Sequence, residues 1–195
     1  MRTKAQQREE TTRSLVGLAR ALFAEKGYPN VTLAEVVAKA GVTKGALYHY
    51  FEGKDDLFRA VLAEVHEEVA RRVGEVDDTD RWTRLIKGCR TFLAAATDPN
   101  HHRIMLVDGP AVLGWQTWRE LDATTSMRHL TELLQELIDE GTLVDQPVIP
   151  LAHLLSGAMN EAALWLSASP DPSRDLDQAM TALTRMLTGL RPTPT

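Results

Sequence analysis

The sequence has a single cysteine, Cys89, and aromatic residues make up only 6% of it. One cysteine excludes an internal disulfide framework and any metal cage built from several thiolates. The most apolar stretch, residues 149–168, is repeatedly interrupted by polar and charged residues, which argues against a membrane span. The basic N-terminus has no apolar segment behind it, so no secretory signal is expected. These absences predict a cytoplasmic globular protein.

The usual signatures of catalysis are missing as well. The chain shows no Ser-His-Asp order, no glycine-rich phosphate loop and no metal-ligand spacing. His101 and His102 are adjacent, so on a helix they point to different faces and do not suit one metal ion. We therefore expect no catalytic residues, no metal, no cofactor and no enzymatic activity. A helical enzyme using His101, His102, Asp108 and Glu161 is the remote alternative.

Charge is distributed unevenly along the chain. Residues 1–54 carry nine Lys or Arg against five Glu, a net charge of +4, whereas the remainder carries −9. A basic end on an acidic body is typical of a protein that meets a polyanion with one end only. The uneven charge indicates nucleic acid as a partner of the N-terminal part.

Apolar residues follow helical spacing throughout, and no strand pattern stands out, so the fold class is predicted to be all-α. Leu15, Leu18 and Leu22 belong to one face of the first helix. The acidic segment 74–80 (GEVDDTD) follows a predicted linking helix at about 54–73. Beyond this segment, apolar periodicity and Pro/Gly breaks predict further helices near 81–97, 101–107, 111–140, 148–168 and 172–190.

Residues 32–51 have the layout of a helix-turn-helix. Thr32 and Glu35 form a predicted capping box, which starts a short helix that ends at Gly41. The turn Gly41-Val42-Thr43 follows, and Thr43 is the expected N-cap of a third helix. Two short helices joined by a three-residue turn are the arrangement that places a helix in the DNA major groove.

The third helix carries side chains suited to DNA. Lys44 can reach a guanine edge or a phosphate, and the Ala46 methyl can contact a thymine methyl. Tyr48, His49 and Tyr50 place polar-tipped rings within one turn, where they can bind phosphates and fix the register. Lys54, at the start of the next helix, adds a further phosphate site.

The stretch from about Thr12 to Leu62 resembles the TetR/AcrR family of bacterial transcriptional regulators, above all in AGVTKGALYHYF followed by Lys54 and Leu57. The resemblance implies an all-helical homodimer. It also implies a DNA-binding domain over residues 1–54 and an effector-binding and dimerisation domain over residues 55–195. The positions it places at or near DNA are Thr32, Thr43, Lys44, Gly45, Ala46, Tyr48, His49, Tyr50 and Lys54. An N-terminal arm with Arg2, Lys4 and Arg8 is a further candidate for base contacts.

The last two predicted helices are candidates for the contact between two copies of the chain. The final helix carries an apolar stripe, and the helix before it is apolar on most sides, so it needs cover from more than one neighbour. The residues expected at the dimer interface are Leu155, Gly157, Ala158, Ala162, Met180, Leu183 and Leu187.

Trp and Met side chains in the second half are candidates for an effector pocket, because they form flat, adaptable apolar walls. Such residues can equally belong to a plain core. The expected lining is Phe92, Met105, Val112, Trp115, Trp118, Met127, Met159 and Trp165. Cys89 is expected to be a small core residue.

Together these observations predict a sequence-specific transcriptional repressor that a small apolar or aromatic effector releases from a palindromic operator. One alternative is an activator, or a regulator controlled by a protein partner, with the same fold. Another is a helical dimerisation module without DNA, which the basic N-terminus disfavours.

Overall fold

The computed structural model describes residues 3–193, and the regular structure in that range is helical, without a strand. The predicted all-α class is therefore confirmed. The helices are α1 (Lys4–Lys26), α2 (Leu33–Ala40), α3 (Lys44–Tyr48), α4 (Lys54–Gly74), α5 (Arg81–Ala96), α6 (Gly109–Leu113), α7 (Trp115–Ala123), α8 (Ser126–Asp139), α9 (Val148–Ser167) and α10 (Pro172–Thr188). No helix in the described range is long and apolar enough to span a membrane.

The chain divides into two compact units. Unit 1 comprises the chain up to Val65 together with Pro99–Trp118, and unit 2 comprises His66–Asp98 together with the chain from Arg119 onward. The sequence predicted a simple division at residue 54. The structure instead adds the first half of α4 and the distant segment 99–118 to the N-terminal unit. Apolar periodicity in the sequence does not predict that segment 99–118 packs in the N-terminal unit, because this packing depends on long-range contacts.

Aromatic side chains form the centre of unit 1. The ring centroids of Phe23 and Phe58 are 5.2 Å apart, and the Tyr28 ring lies 5.7 Å from Phe23 and 5.0 Å from Phe58. Phe23 and Phe58 are fully buried. Burying each such ring contributes about 2–3 kcal/mol, and edge-to-face pairs add to this. This cluster joins the end of α1 to α4.

A hydrogen bond joins segment 99–118 to the turn after α1. The backbone N–H of Tyr28 donates to Asp108 Oδ2 at 2.8 Å. This bond satisfies a part-buried N–H and a buried carboxylate, which makes it costly to break. Within the segment, Arg103 Nε lies 3.5 Å from the same carboxylate oxygen, and the Trp118 indole N–H donates to the Met105 carbonyl at 2.7 Å.

The middle of the chain differs from the predicted helices. The predicted helix 101–107 is a π-helical turn, Arg103–Asp108, that leads directly into α6. The predicted stretch 111–140 contains the end of α6 and two further helices, α7 and α8. Gly114 separates the first two, and the turn at Thr124 and Thr125 separates the last two.

Unit 2 is a helical bundle built around α5. This helix packs against α8, α9 and α10, and α9 also packs against α8 and α10. The buried face of α5 includes Leu85, Cys89, Phe92 and Leu93. Cys89 is therefore a small core residue, as the sequence predicts.

Substitution of Gly27 tests the contact between the end of α1 and segment 99–118. Its φ of +77° and ψ of 156° lie in a region that only glycine populates readily, and a Cβ there would lie 2.0 Å from Arg103 Nη2. Gly41 has φ +65° and ψ 24°, in the left-handed helical region, with open space around it. We expect Gly27→Ala to lower the free energy of unfolding by about 2–3 kcal/mol and Gly41→Ala by about 1 kcal/mol. Urea unfolding of the two variants checks this, and equal losses would contradict a larger conformational cost at Gly27.

Candidate nucleic-acid interface and ligand cavity

The two helices of the predicted helix-turn-helix begin where the sequence places them. Thr32 Oγ1 accepts from the Glu35 N–H at 3.2 Å, and Thr43 Oγ1 accepts from the Ala46 N–H at 3.1 Å. Only half of the predicted capping box at Thr32 is present, because the Glu35 carboxylate forms an ion pair with Lys26 instead. Both threonines act as N-caps and are also exposed.

Helix α3 turns one face inward and the other to solvent. Leu47 and, just beyond the helix, Phe51 are buried in the core of unit 1. Lys44, Tyr48 and His49 are exposed, and Tyr48 keeps 49% of its surface accessible. We call the outward surface formed by Thr43, Lys44, Gly45, Ala46, Tyr48 and His49 the recognition face.

Small residues leave the start of the recognition face open. A Cβ at Gly45 would meet nothing within 4 Å, and Ala46 carries only a methyl group. A partner can therefore approach the backbone of the first turn closely. The Lys44 ammonium lies 5.9 Å from the Tyr48 ring, so these two side chains share one surface.

Tyr50 and Lys54 lie beside the recognition face and are half-buried. The Arg8 guanidinium is 5.7 Å from the centre of the Tyr50 ring. Arg8 belongs to α1, as does the backbone of Lys4, so these positions are helical rather than part of an extended arm. Arg2 lies outside the described residues.

Lys54 is held against Tyr28. Its ammonium lies 4.0 Å from the centre of the Tyr28 ring, within cation–π range. Burial lowers the pKa of Lys54, and the nearby carboxylates of Asp55 and Asp108 oppose that change. The Tyr28 hydroxyl donates to Asp55, and burial together with this bond raises the pKa of Tyr28 to about 12. Lys54 thus ties the start of α4 to the aromatic centre of unit 1.

Unit 2 contains a cavity of about 420 Å³. Its apolar wall includes Leu85, Phe92, Met127 and Met159. Cys89 also lines it, and burial raises the pKa of this thiol to about 12, so the wall carries a neutral thiol at pH 7. The volume is within the usual range for small-molecule sites.

Three of the predicted pocket residues, Phe92, Met127 and Met159, line this cavity. The other five do not line it: four belong to unit 1, and one is exposed on α9. Met105, Val112, Trp115 and Trp118 belong to unit 1, where Met105 and Trp118 are core and Trp115 is 63% exposed. Trp165 is on α9 but is 49% exposed.

Polar residues that the sequence analysis did not single out also line the cavity, namely Asp122, Ser126, His129 and Ser156. Arg119 donates to Asp122 Oδ2 and to Ser156 Oγ, both at 3.2 Å. These four polar residues have the same helical spacing as residues that face solvent, so the sequence does not distinguish a cavity-lining polar residue from an exposed one.

Burial shifts the pKa values of two titratable groups at the cavity, His66 and the lining residue Asp122. His66 Nδ1 lies 3.9 Å from Asp122 Oδ1, and burial lowers the pKa of His66 to about 4, so this ring is neutral at pH 7. Burial raises the pKa of Asp122, and the charge of Arg119 opposes that rise. Asp122 is thus the carboxylate that faces both the neutral His66 ring and the Arg119 guanidinium.

The predicted dimer residues fall into two groups. Leu155, Met180, Leu183 and Leu187 are buried inside the single chain, so the stripe on α10 covers the chain's own core. Ala158 is exposed, and Gly157 and Ala162 are half-buried.

The exposed apolar surface of α9 and α10 is carried by other residues, which periodicity alone did not distinguish. They are Ile149, Leu154, Trp165 and Met186, with exposed fractions of 55%, 74%, 49% and 66%. Leu154, Ala158 and Trp165 share one side of α9, and we call these three residues the apolar face.

The residues of the remote enzyme alternative belong to different units. Asp108, which accepts from the Tyr28 N–H, buried His101 and half-buried His102 are in unit 1. Glu161 is exposed on α9 in unit 2.

Two family models match the chain. Residues 15–61 match the bacterial regulatory proteins of the tetR family. Residues 82–190, more than half of the chain, match the tetracyclin repressor-like C-terminal domain. The first match contains α2 and α3, and the second contains most of unit 2.

Relatives and solved structures agree with these matches. The Transposon Tn10 TetC protein of Escherichia coli is 31% identical over 161 residues, which cover 80% of this chain and 82% of that protein. The transcriptional regulator TtgR of Pseudomonas putida is 35% identical over 82 residues, 40% of this chain and 39% of that one. A TetR-family regulator structure from Pectobacterium atrosepticum is 33% identical, with a TM-score of 0.82 and full coverage of both chains. The chain therefore belongs to the TetR family of bacterial transcriptional regulators, which bind DNA through an N-terminal helix-turn-helix.

Proposed function

We propose that this chain is a repressor that binds a palindromic operator as a homodimer and leaves it when a small molecule occupies the cavity in unit 2. The observation that carries the proposal is the recognition face, on which capped and buried residues of α3 hold Lys44, Tyr48 and His49 in solvent. Its mixture of a cation, small residues and polar rings matches the chemistry of phosphates and base edges.

Dimerisation follows from the dimensions of DNA. Helix α3 has five residues, and one such helix contacts only a few base pairs. Two copies reach a useful specificity when they enter successive major grooves, about 34 Å apart. The apolar face supports this arrangement, because Leu154, Ala158 and Trp165 recur at helical spacing along one side of α9. A second copy of the same face would cover them.

The cavity supports control by a small molecule. A solved structure of the regulator RolR in complex with resorcinol has a TM-score of 0.73 to this chain, at 20% identity, over 98% of this chain and 99% of that one. An effector releases DNA only if it binds the released conformation more tightly than the DNA-bound one. We propose that a molecule in the cavity binds the released conformation more tightly than the DNA-bound one.

DNA contact by the recognition face is tested by removing one side chain at a time. We expect Tyr48→Ala to weaken operator binding at least about tenfold, since the ring loses its phosphate contact, and to leave the fold intact. Lys44→Ala should reduce the magnitude of the slope of log affinity against log salt concentration by about one, because one phosphate contact is lost. Fluorescence anisotropy on a duplex recovered by selection of bound genomic fragments measures both effects.

Lys87→Ala is the matched control for charge, because Lys87 is an exposed lysine of unit 2 that pairs with Asp78. It should leave the salt slope unchanged. Equal effects of the two lysine changes, or wild-type affinity in Tyr48→Ala, would contradict DNA contact through the recognition face.

Dimerisation through the apolar face is tested at Leu154, its most exposed member. Leu154→Lys places a charge where two copies would meet, so we expect a monomer in sedimentation velocity and a loss of operator affinity. Val144→Lys is the control, since Val144 is a 41% exposed apolar residue outside α9 and α10. A Leu154→Lys protein that remains dimeric, or a monomeric control, would refute this assignment.

A further inference from the structure

We propose that the cavity in unit 2 takes an uncharged, mainly apolar molecule that carries a hydrogen-bond-accepting oxygen, and that Ser126 and His129 hold this oxygen. The inference rests on the proposed function, in which the same cavity is the effector site. It adds the chemical class of the ligand and the residues that select it.

Two polar atoms at the cavity lack hydrogen-bond partners among the described residues. Ser126 is the first residue of α8 and is only 9% exposed, yet its Oγ is buried without a partner. His129 Nδ1, one turn further along α8, is also buried without a partner. Both residues line the cavity. An unsatisfied buried polar group costs free energy, so a ligand atom that bonds to these groups gains affinity.

The neighbours of His129 indicate which kind of ligand atom fits. Arg128 Nη2 lies 3.4 Å from His129 Nε2, and a guanidinium can only donate. Nε2 is then the acceptor, and in the neutral ring the hydrogen is on Nδ1. The Ser126 hydroxyl can donate as well. The site therefore offers two donors to one region, which suits a carbonyl, ether or hydroxyl oxygen.

An anion finds no free counter-charge among the residues that line the cavity. The lining guanidinium of Arg84 already donates to Glu136 Oε2 at 2.8 Å, and the other charged side chains in the lining are carboxylates, those of Asp77, Asp122 and Glu132. A carboxylate or phosphate ligand would therefore lose its hydration without gaining a cation.

A cation does not fit better, because the carboxylates with good partners are already neutralised. Asp122 is paired with Arg119 at 3.2 Å, and Glu136 Oε2 accepts from Arg81 and from Arg84 at 2.8 Å each. Asp77 and Glu132 are exposed, and their charge is screened by water. A buried ammonium would therefore lack a counter-charge, and an uncharged ligand is the remaining class.

The test compares probes with the same skeleton and different charge. Naphthalene and biphenyl, each carrying a methyl ketone, a carboxylate, an aminomethyl group or an ethyl group, are titrated into the full-length protein by calorimetry. We expect the ketones to bind at least about tenfold more tightly than the carboxylates and the amines. The ethyl compounds should bind more weakly than the ketones, because they cannot use the two donors.

Variants assign the selection to named residues. Ser126→Ala and His129→Leu should each weaken ketone binding by about tenfold and leave the binding of the ethyl compounds unchanged. Ser126→Ala should not lower the melting temperature, since the hydroxyl it removes has no partner. Ser167→Ala is the matched control, because Ser167 is an exposed serine at the end of α9. This variant should bind the ketones and the ethyl compounds as the unaltered protein does.

Tighter binding of the carboxylates or the amines would overturn the inference, as would a ketone preference that survives in both variants. Absence of saturable binding across all eight probes would overturn it too. Failure of the proposed function is a separate result. Ketones that bind the cavity without releasing DNA would refute effector control and leave the proposed ligand class unchanged. Release of DNA by a charged compound would refute the proposed ligand class and support effector control.

Discussion

The hydrogen bond from the Tyr28 N–H to the Asp108 carboxylate joins two parts of the chain that are 80 residues apart. The Tyr28 ring also packs against both Phe23 and Phe58 and receives the Lys54 ammonium on its face. One residue thereby connects the end of α1, the start of α4 and segment 99–118.

Segment 99–118 follows α5, whose buried face contributes Leu85 and Phe92 to the cavity wall. It ends in α7, which continues into unit 2 and carries Asp122. Covalent continuity therefore connects residues that line the cavity to the segment that bonds to Tyr28, just after α1.

The sequence was most informative where structure is decided locally. Thr32, Gly41 and Thr43 act through their own backbone neighbourhood, so the ends of α2 and α3 were predictable from capping and turn chemistry. The recognition face followed from the same short stretch, because the buried positions of α3 are set by Leu47 and Phe51.

Features that depend on distant contacts were not predictable in this way. Periodicity grouped Trp115 and Trp118 with Phe92, but the return of segment 99–118 to unit 1 separates them. Leu183 and Leu154 are both apolar and helical, yet only the packed bundle shows that the first is core and the second exposed. Ser126 and His129 resemble surface residues in sequence, and their burial beside a cavity is a tertiary property.

Hydroxyl-radical footprinting of the protein on its selected fragment tests whether two copies of α3 bind DNA together. We expect two protected patches on one face of the duplex, related by a two-fold axis and separated by about one helical turn, 10–10.5 base pairs, or a whole multiple of it. A single patch, or protection without two-fold symmetry, would show that two copies of α3 do not bind the duplex as a symmetric pair.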